Sequence, residues 1–402
     1  MEKLKKKFTH DIVIVGGLGH VGLPLGIMFA SQGMKVILYD VNQKAAQTVL
    51  SGKMPFIEYD AQPLLKKALA KRNLTVQMHP SCLTRSRVVI VAVGTPVDEY
   101  LNPKVKHFLS VFGGLKGFLN KDQLIVVRST VYPHTCEQLS HLLGGKGWKI
   151  AYCPERIVQG YAIRELRELP QIVAGMTKNA EDEAALLFDK IASKIIRASI
   201  SEAELAKLFS NAWRYIQFAV TNQFYMMANN FDVDYNALRQ TMMEGYGRLA
   251  TLPTAGFAAG PCLLKDTMQL AAFSSNNFIL GHSAMMINEG LPNFLVNKLR
   301  EKRDLSKTKV GILGMSFKAD NDDTRDSLSY KLGKILRFHR AQVYYTDEFV
   351  KNPDFVPKEK LLKCCDVIIV GVPHSAYKGL VIPKKIEVID LWGAIKKSGE
   401  NK

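Results

Sequence analysis

A glycine-rich turn near the N-terminus constrains the possible folds of this chain most strongly. Residues 11–15 form a short apolar run typical of a buried parallel strand, and residues 23–32 follow the turn with a helical pattern. A second apolar run at 35–39 ends at Asp40. A Gly-x-Gly-x-x-Gly motif between a strand and a helix, with an acid after the next strand, predicts a dinucleotide-binding βαβ unit. The alternative is a glycine-rich turn that binds no ligand.

This turn predicts where a cofactor binds and which cofactor it is. The glycines permit a tight turn and close approach of the backbone to a pyrophosphate at the helix N-terminus. Asp40 would accept hydrogen bonds from ribose hydroxyls and repel a 2′-phosphate, which favours NAD over NADP. The predicted cofactor-binding residues here are Gly17, Leu18, Gly19, His20, Val21, Gly22 and Asp40.

Further apolar runs at 88–93, 124–127 and 149–152 alternate with helical stretches, as a doubly wound α/β domain requires. Each run ends in a small or polar cluster. Because ligands bind beyond the carboxyl ends of parallel strands, these clusters are expected to line the cofactor and substrate crevice; read singly, each is also an ordinary loop. They are Gly94-Thr95-Pro96, Arg128-Ser129-Thr130 and Cys153-Pro154-Glu155-Arg156.

Length and composition exclude several classes of protein. The length of 402 residues predicts two or three domains. The composition, with 47% hydrophobic and 23% charged residues, is typical of a globular protein. The net charge of +17 comes from residues spread along the chain, with no aromatic-interleaved basic block, so nucleic-acid binding is disfavoured. Six scattered cysteines without metal or disulfide spacing predict a cytoplasmic protein without a metal site. No run approaches the roughly 20 apolar residues of a membrane span.

A long helix is predicted in the middle of the chain. Ser201 and Glu204 fit a capping box, and a helical pattern continues from 205 to about 230 without glycine or proline. Its abundant apolar positions predict burial between domains or subunits, and hence a homodimer or higher homo-oligomer. Lys207, Asn211 and Arg214 form a polar line along it, which is either functional or a solvated edge.

The segment around Cys262 is a candidate nucleophile site. Pro261 suits the first position of a helix, which places Cys262 in the first turn, where the macrodipole favours a thiolate. Asp266 would share a helix face with Cys262, and Lys265 adds a positive charge. The alternative is a buried apolar cysteine behind a tight loop.

A second strand and turn pattern begins at residue 308, and runs at 341–347, 366–373 and 386–390 repeat the order of the first domain without a full glycine fingerprint. The predicted fold is α/β: two Rossmann-like doubly wound domains joined by a long central helix and a helical middle domain. The predicted domains are an NAD-binding domain at 1–200, a helical middle and dimerisation domain at 201–304, and a nucleotide-sugar-binding domain at 305–402.

Seven ordered motifs resemble the UDP-glucose/GDP-mannose dehydrogenase family over nearly the whole chain. They are Gly17-x-Gly19-x-x-Gly22-Leu23-Pro24, Gly94-Thr95-Pro96, Ser129-Thr130-Val131, Pro154-Glu155-Arg156, Ala203-Glu204-x-x-Lys207-Leu208-x-x-Asn211, Gly260-x-Cys262-x-x-Lys265-Asp266 and Phe317-Lys318-x-Asp320-x-Asp322-Asp323-x-Arg325. The resemblance implies oxidation of the C6 hydroxymethyl of a nucleotide sugar to a carboxylate with two NAD, for surface polysaccharide or glycan precursor synthesis.

The resemblance also implies roles for individual residues. Cys262 would attack the intermediate aldehyde, Lys207 and Asn211 would stabilise oxyanions, and Asp266 with Thr130 would position or deprotonate water. Glu155 is similar to the family's acid/base. The cofactor would also contact Gly94, Thr95, Thr130 and Arg325. The implied substrate-binding residues are Glu155, Arg156, Lys207, Asn211, Arg248, Phe257, Gly260 and Lys318.

The sequence departs from the family pattern at the cysteine loop, where Ala258 and Ala259 replace glycines, so the register of Phe257 and of the partner-subunit arginine Arg248 is open. Pro154-Glu155-Arg156 with Glu165-Leu166 resembles the branch acting on UDP-N-acetylhexosamines, which favours UDP-N-acetylmannosamine or UDP-N-acetylglucosamine. UDP-glucose and GDP-mannose are the alternatives.

Two other classes of function remain open at this point. Two-electron dehydrogenases of the 6-phosphogluconate or hydroxyacyl type share the first domain and the helix, but have no need of the α/β unit after residue 308. A non-catalytic protein that binds nucleotides or nucleic acid is the other alternative.

Overall fold

The computed structural model describes residues 8–395, which divide into two compact units, one ending at Ser210 and the other beginning at Asn211. The division lies within one long helix. The two predicted domain boundaries, after residues 200 and 304, therefore stay a prediction.

The N-terminal unit alternates strands and helices. Its strands are β1 (His10–Val15), β2 (Val36–Tyr39), β3 (Leu74–Gln77), β4 (Ser86–Val91), β5 (Leu124–Val127), β6 (Lys149–Tyr152), β7 (Gln171–Gly175) and β8 (Ile195–Arg197). Its helices are α1 (Gly22–Ser31), α2 (Gln43–Leu50), α3 (Ala61–Ala70), α4 (Val105–Leu115), α5 (Thr135–Leu142), α6 (Ala162–Glu168) and α7 (Lys178–Phe188). Two 3-10 turns lie at Pro80–Arg85 and Lys116–Phe118.

These strands form one sheet in the order β3-β2-β1-β4-β5-β6-β7-β8. The pairs from β3 to β6 are parallel, β7 runs antiparallel to β6, and β8 is parallel to β7. The apolar strands β4 and β5 are buried on both faces, which is why their sequences are continuous rather than alternating. The strand order reverses between β1 and β4, and ligands bind at such a switch point in open α/β sheets.

The long central helix α8 extends over Ile200–Asn230. Its capping box lies two residues earlier than the sequence predicts: Ser199 N–H donates to Glu202 Oε2 at 2.7 Å, and Glu202 N–H donates to Ser199 Oγ at 3.3 Å. The predicted box residue Glu204 is instead buried, and its carboxylate accepts the N–H groups of His134 and Cys136 at the start of α5. The prediction of Ser201 as the N-cap is therefore wrong, because Glu204 caps a different helix.

The rest of α8 lies in the C-terminal unit. It is followed by the helices α9 (Tyr235–Met243), α10 (Leu263–Phe273) and α11 (Ile279–Lys302), and then by α12 (Leu328–Phe338) and α13 (Lys358–Cys364) within the second α/β region. The strands of that region are β9 (Lys309–Leu313), β10 (Gln342–Thr346), β11 (Val367–Val370) and β12 (Glu387–Ile389), with 3-10 turns at Gly247–Leu249, Leu305–Lys307 and Ser375–Tyr377.

The second sheet is entirely parallel, in the order β10-β9-β11-β12. Its order reverses between β9 and β11, just as the first sheet reverses between β1 and β4. The predicted fold class, with two Rossmann-like α/β regions connected by a long helix and further helices, is confirmed. Within residues 8–395, no helix is both long enough and apolar enough to cross a bilayer.

Candidate active site

The glycine turn of the N-terminal unit is built for a close backbone approach. A Cβ on Gly17 would lie 2.8 Å from Leu38 Cα, and a Cβ on Gly22 would overlap the carbonyl oxygen of Gly16. A Cβ on Gly19 would meet no atom closer than 3.6 Å. Gly17 and Gly22 therefore let the turn pack against β2 and against itself, while Gly19 keeps the outer surface of the turn free of a side chain. That arrangement fits the pyrophosphate of a dinucleotide.

Asp40 lies where the sequence predicts, directly after β2 and partly exposed. Its Oδ2 accepts the N–H of Leu18 at 3.0 Å, and its Oδ1 accepts the N–H of Asn42 at 3.1 Å. The carboxylate therefore fixes the glycine turn and retains acceptor capacity for hydroxyl groups. Val21 occupies the N-cap position of α1, and the His20 ring lies 4.0 Å from that of Phe56. The six residues of the turn and Asp40 together fit the adenosine side of NAD.

The loops after β4 and β5 are joined by hydrogen bonds, as the switch-point argument expects. Thr95 Oγ1 donates to the carbonyl oxygen of Thr130 at 2.6 Å, and Ser129 Oγ donates to the carbonyl oxygen of Val93 at 2.7 Å. A Cβ on Gly94 would meet no atom within 4 Å, so the backbone of this loop is open to a ligand. Gly94, Thr95 and Thr130 are thus brought to the edge of the sheet that carries the glycine turn.

Glu155 is buried and has a partner that the sequence did not predict. Its Oε2 pairs with the guanidinium of Arg128, and its Oε1 accepts the N–H groups of Arg156 at 2.6 Å and Ile157 at 2.8 Å. Arg128 is itself only 1% exposed, and its Nη1 donates to Gln171 Oε1 at 2.5 Å. Glu155 therefore fixes the segment after β6, and a role in proton transfer requires it to exchange one of these partners.

Arg156 is half-buried, and its guanidinium donates to the carbonyl oxygen of Pro170. Burial lowers the pKa of Arg156 from its ordinary value, and the nearby Glu155 opposes that effect. The backbone of the same segment is held at Val158, whose N–H donates to Glu165 Oε2. Hydrogen bonds made by the side chains of Glu155, Arg156 and Glu165 therefore hold residues 154–158 in place.

Lys207 and Asn211 lie one turn apart on α8 and are both buried, whereas Arg214 is exposed. Asn211 Nδ2 donates to Asp266 Oδ2 at 2.5 Å, and Lys265 Nζ lies 2.6 Å from Asp266 Oδ1. Two of the predicted catalytic residues, Asn211 and Asp266, are thus in direct contact. Of the line predicted on α8, exposed Arg214 fits the solvated alternative, and a functional role for buried Lys207 and Asn211 stays a prediction.

Cys262 is exposed and begins α10. It occupies the N-cap position rather than the first turn, and its carbonyl oxygen accepts the N–H of Asp266 at 2.8 Å. Pro261 consequently lies outside the helix, so its predicted placement at the first helical position is wrong. The sulfur nevertheless lies at the N-terminal end of a helix and at the surface of its unit, as a nucleophile requires.

The residues before Cys262 are packed rather than open. Gly260 has φ +98°, and a Cβ there would lie 2.5 Å from the Phe317 ring. Phe257 is 4% exposed and packs with Leu291 and Leu295 in an apolar core. A contact between Phe257 and a substrate would therefore have to come from its backbone, and the predicted contact stays untested.

Arg325 lies in the loop after β9, where Nε lies 3.0 Å from both carboxylate oxygens of Asp323. The hydrogen bonds with Asp323 raise the pKa of Arg325, burial opposes them, and the charge of Cys262 contributes a smaller increase. Lys318, half-buried in the same loop, accepts a hydrogen bond from Ser316 Oγ at its carbonyl oxygen.

Arg248 is exposed on the turn Gly247–Leu249, with its guanidinium 6.0 Å from the Tyr246 ring centroid. Its position is compatible with the predicted contact to a partner subunit. Among residues 8–395, no group of three or more His, Cys, Asp or Glu side chains could hold a metal ion.

Each unit therefore collects a part of the predicted site. The N-terminal unit holds the glycine turn, Asp40, Gly94, Thr95, Thr130, Glu155, Arg156 and Lys207, and the C-terminal unit holds Asn211, Arg248, Phe257, Gly260, Cys262, Asp266, Lys318 and Arg325. Sequence reasoning missed the pairing of Arg128 with Glu155, because a buried arginine has no local sequence signal.

Comparison with known proteins assigns the three parts of the chain to one family. Models of the UDP-glucose/GDP-mannose dehydrogenase family match as NAD binding domain over residues 10–195, as central domain over 201–289 and as UDP binding domain over 311–397. Together they cover most of the chain, in the order that the sequence motifs predict.

Individual relatives are similar over nearly their whole lengths. The UDP-N-acetyl-D-mannosamine dehydrogenase of Pyrococcus horikoshii is 28% identical over 382 residues, covering 92% of this chain and 90% of the relative. That of Campylobacter jejuni is 26% identical, covering 91% and 96%. Among solved structures, a UDP-D-ManNAc dehydrogenase from Pyrococcus horikoshii aligns with a TM-score of 0.89 at 27% identity, covering 96% of each chain.

Proposed function

This chain belongs to the UDP-glucose/GDP-mannose dehydrogenase family and is an NAD-dependent nucleotide-sugar dehydrogenase, and from that premise we propose that it oxidises a UDP-N-acetylhexosamine at C6 to the uronic acid. The favoured substrate is UDP-N-acetyl-D-mannosamine, with UDP-N-acetyl-D-glucosamine next. The similarity of relatives named UDP-N-acetyl-D-mannosamine dehydrogenase supports this choice, as does the Pro154-Glu155-Arg156 segment.

The exposed Cys262 at the start of α10 is the observation that carries the proposed mechanism. Its thiolate adds to the C6 aldehyde and forms a C–S bond, giving a thiohemiacetal. Loss of hydride from C6 then gives a thioester, and water breaks the C–S bond to release the carboxylate and the thiolate. Overall, one alcohol, one water and two NAD give one carboxylate, two NADH and three protons.

The chemistry that NAD supplies when bound is hydride acceptance, once for each oxidation. The residues that would hold it are those whose geometry fits a dinucleotide: the turn from Gly17 to Gly22, Asp40, and the open loop at Gly94 and Thr95. The remaining catalytic work is proposed to belong to side chains of α8 and α10, together with Thr130 and Glu155.

Lys207 and Asn211 are proposed to stabilise the oxyanion that develops on the sugar at C6. Both are buried on one side of α8, and buried hydrogen-bond donors fixed before the reaction stabilise developing charge more effectively than solvent does. Asp266 holds Asn211 in place through its 2.5 Å contact, and with Thr130 it is proposed to orient the hydrolytic water. Glu155 is proposed as the acid/base of the later steps, after exchange of one of its present partners.

We further propose that the protein acts as a homo-oligomer in the cytoplasm and that its product is a precursor of surface polysaccharide or glycan. Support for the oligomer comes from apolar side chains exposed along one side of α8, since such patches mark contact surfaces. They recur every three, four or seven residues: Phe209, Trp213, Val220, Phe224 and Met227. The Arg248 of a partner subunit would then reach the substrate.

A substrate panel tests the proposed function. The purified enzyme is incubated with NAD and, separately, with the UDP-N-acetyl derivatives of mannosamine and glucosamine, UDP-glucose and GDP-mannose, while NADH and sugar acid are quantified. The proposal predicts the highest kcat/KM with a UDP-N-acetylhexosamine and two NADH for each acid. Preference for UDP-glucose or GDP-mannose would refute the substrate, and one NADH with released aldehyde would refute the four-electron reaction.

A further inference from the structure

The segment from Leu252 to Cys262 has neither helix nor strand, so its backbone groups need partners from other parts of the unit. Side chains from two helices supply them in chain order. The guanidinium of Arg239, on α9, donates to the carbonyl oxygens of Leu252 and Pro253. Thr221 Oγ1, on α8, lies 3.3 Å from the carbonyl oxygen of Thr254.

Asn222 makes the most complete contact with this segment. Its Oδ1 accepts the N–H of Gly256 at 2.8 Å, and its Nδ2 donates to the carbonyl oxygen of the same Gly256 at 3.0 Å. Both backbone hydrogen bonds of one loop residue thus come from one side chain. The arrangement also fixes the orientation of the Asn222 amide. If the amide were reversed, its NH₂ group would face the N–H of Gly256, and its oxygen would face the carbonyl oxygen of Gly256.

A second buried amide holds the first. Asn222 Nδ2 donates to Asn288 Oδ1 at 2.9 Å, and Asn288 Nδ2 donates to the carbonyl oxygen of Tyr215 at 3.0 Å. Asn222 and Asn288 are both 0% exposed. A fully satisfied buried polar network favours one rigid arrangement, because any displacement leaves buried groups unpaired.

The loop has no space to move away from this amide pair. A Cβ on Gly256 would overlap the indole ring of Trp392, so that ring covers the glycine on its other side. The next residues, Phe257 and Ala258, are buried in two different apolar clusters. Cys262 follows Ala258 by four residues, so the fixed position of Gly256 to Ala258 limits where the exposed sulfur at the start of α10 can lie.

We propose that Asn222, held by Asn288, is a positioning residue that fixes the cysteine loop through the backbone of Gly256 and so aligns Cys262 with its substrate. The inference rests on the proposed role of Cys262 as the nucleophile. Asn222 acts through the loop and takes no part in bond making. A nucleophile displaced by about 1 Å loses on the order of 100-fold in rate.

The test combines hydrogen–deuterium exchange with product analysis in the full-length protein. We expect Asn222→Ala to accelerate exchange of the Gly256 amide at least tenfold, to lower kcat about 10- to 100-fold with little change in the KM for NAD, and to release a larger share of aldehyde. Asn288→Ala should act in the same direction and more weakly. The double variant should fall short of the sum of the two effects, because both act through one contact.

Leu361→Ala is the matched control, since Leu361 is equally buried but lies on α13 and belongs to the cluster around β11. It should lower the melting temperature without faster exchange at Gly256 or a changed product ratio. Unchanged exchange at Gly256 in Asn222→Ala would overturn the proposal. Faster exchange with unchanged kcat and product ratio would overturn it too.

Failure of the proposed function remains distinguishable from failure of this inference. If no nucleotide sugar in the panel yields acid with the wild-type enzyme, the rate of Cys262 alkylation by iodoacetamide replaces turnover as the readout. A change of threefold or more in Asn222→Ala, absent from Leu361→Ala, supports the positioning role without any substrate. Equal alkylation rates in all three proteins would overturn it. If Asn222→Ala does not fold, Asn288→Ala carries the same measurements.

Discussion

Asp40 follows β2 and Asp347 follows β10, and each of these strands pairs in parallel with the first strand of its sheet. Asp40 accepts one N–H from the glycine turn and one from Asn42, and it stays partly exposed. Asp347 accepts N–H groups from Met315, Ser316, Phe349 and Val350 and a hydrogen bond from His374, and its side chain is fully buried.

The two carboxylates therefore have different capacities. An ionised carboxylate has about four acceptor sites, and five donors already surround Asp347, whereas Asp40 retains room for ligand hydroxyls. His374 is fixed in one tautomer, because the N–H of Asp320 donates to Nδ1 and leaves Nε2–H to face Asp347. The same strand and acid pattern thus serves ligand binding in one region and loop architecture in the other.

The largest expected effect that bears on this comparison is that of Gly22→Ala. The added Cβ would overlap the carbonyl oxygen of Gly16, and overpacking of this kind costs about 1–3 kcal/mol. Since 1.4 kcal/mol is a factor of ten in affinity, we expect the Kd for NAD to rise by roughly 5- to 100-fold, measured by calorimetry.

Gly19→Ala is the matched variant, because the nearest atom to its Cβ would be the carbonyl oxygen of Gly16 at an ordinary contact distance of 3.6 Å. Its free energy of unfolding without NAD should therefore fall less than that of Gly22→Ala, while a side chain on the outer surface of the turn should still weaken NAD binding. Equal losses of stability in the two variants would mean that the close packing of Gly22 is not the reason for its identity.

The next effect separates the two aspartates by stability. Asp347→Ala leaves four backbone N–H groups and His374 without an acceptor in a buried site, which should lower the free energy of unfolding by at least about 3 kcal/mol. Asp40→Ala should cost about 1 kcal/mol or less, because water reaches its position, and should instead weaken NAD binding. Denaturant unfolding and NAD titration of both variants measure the difference. A larger stability loss in Asp40→Ala would reverse the comparison.

The smallest effect is a dependence on pH. Burial alone would raise the pKa of Asp347, but hydrogen bonds from His374 and from the N–H groups of Met315 and Phe349 outweigh burial and hold that pKa below its ordinary value. The stabilisation is therefore complete above the ordinary aspartate pKa of about 4 and is lost as pH falls through the lowered one. The stability difference between wild type and Asp347→Ala should shrink between pH 7 and pH 3; a constant difference would contradict this.

The comparison also shows which features a sequence can predict. The strand, glycine turn and Asp40 are within 30 residues of one another, so local pattern was sufficient and the structure places them as predicted. The sequence also showed that this pattern is repeated around Asp347. It did not show that Asp347 binds protein groups instead of a ligand, because His374 lies 27 residues away in sequence and no local pattern indicates that contact.

Tertiary contacts explain the errors in the same way. Glu204 fits a capping box in sequence, but its carboxylate binds the N-terminus of α5, about 70 residues earlier. Strands β7 and β8 were not predicted from the sequence. Strand β7 begins with the polar Gln171, whose side chain accepts a hydrogen bond from Arg128, and β8 has only three residues. The family motifs indicated Glu155 as an acid/base, while its pairing with Arg128 appears only when β5 and β6 are side by side.

The most direct test of the account is the product of Cys262→Ser. The variant is given NAD and the nucleotide sugar that the wild type oxidises to acid, with semicarbazide present to trap aldehyde, and NADH and sugar products are quantified. The account predicts that acid formation falls by at least about 1,000-fold, while trapped aldehyde and one NADH per sugar still form, because a serine hydroxyl at the start of α10 is a far weaker nucleophile than a thiolate. Acid formed at the wild-type rate, with two NADH per sugar, would contradict it.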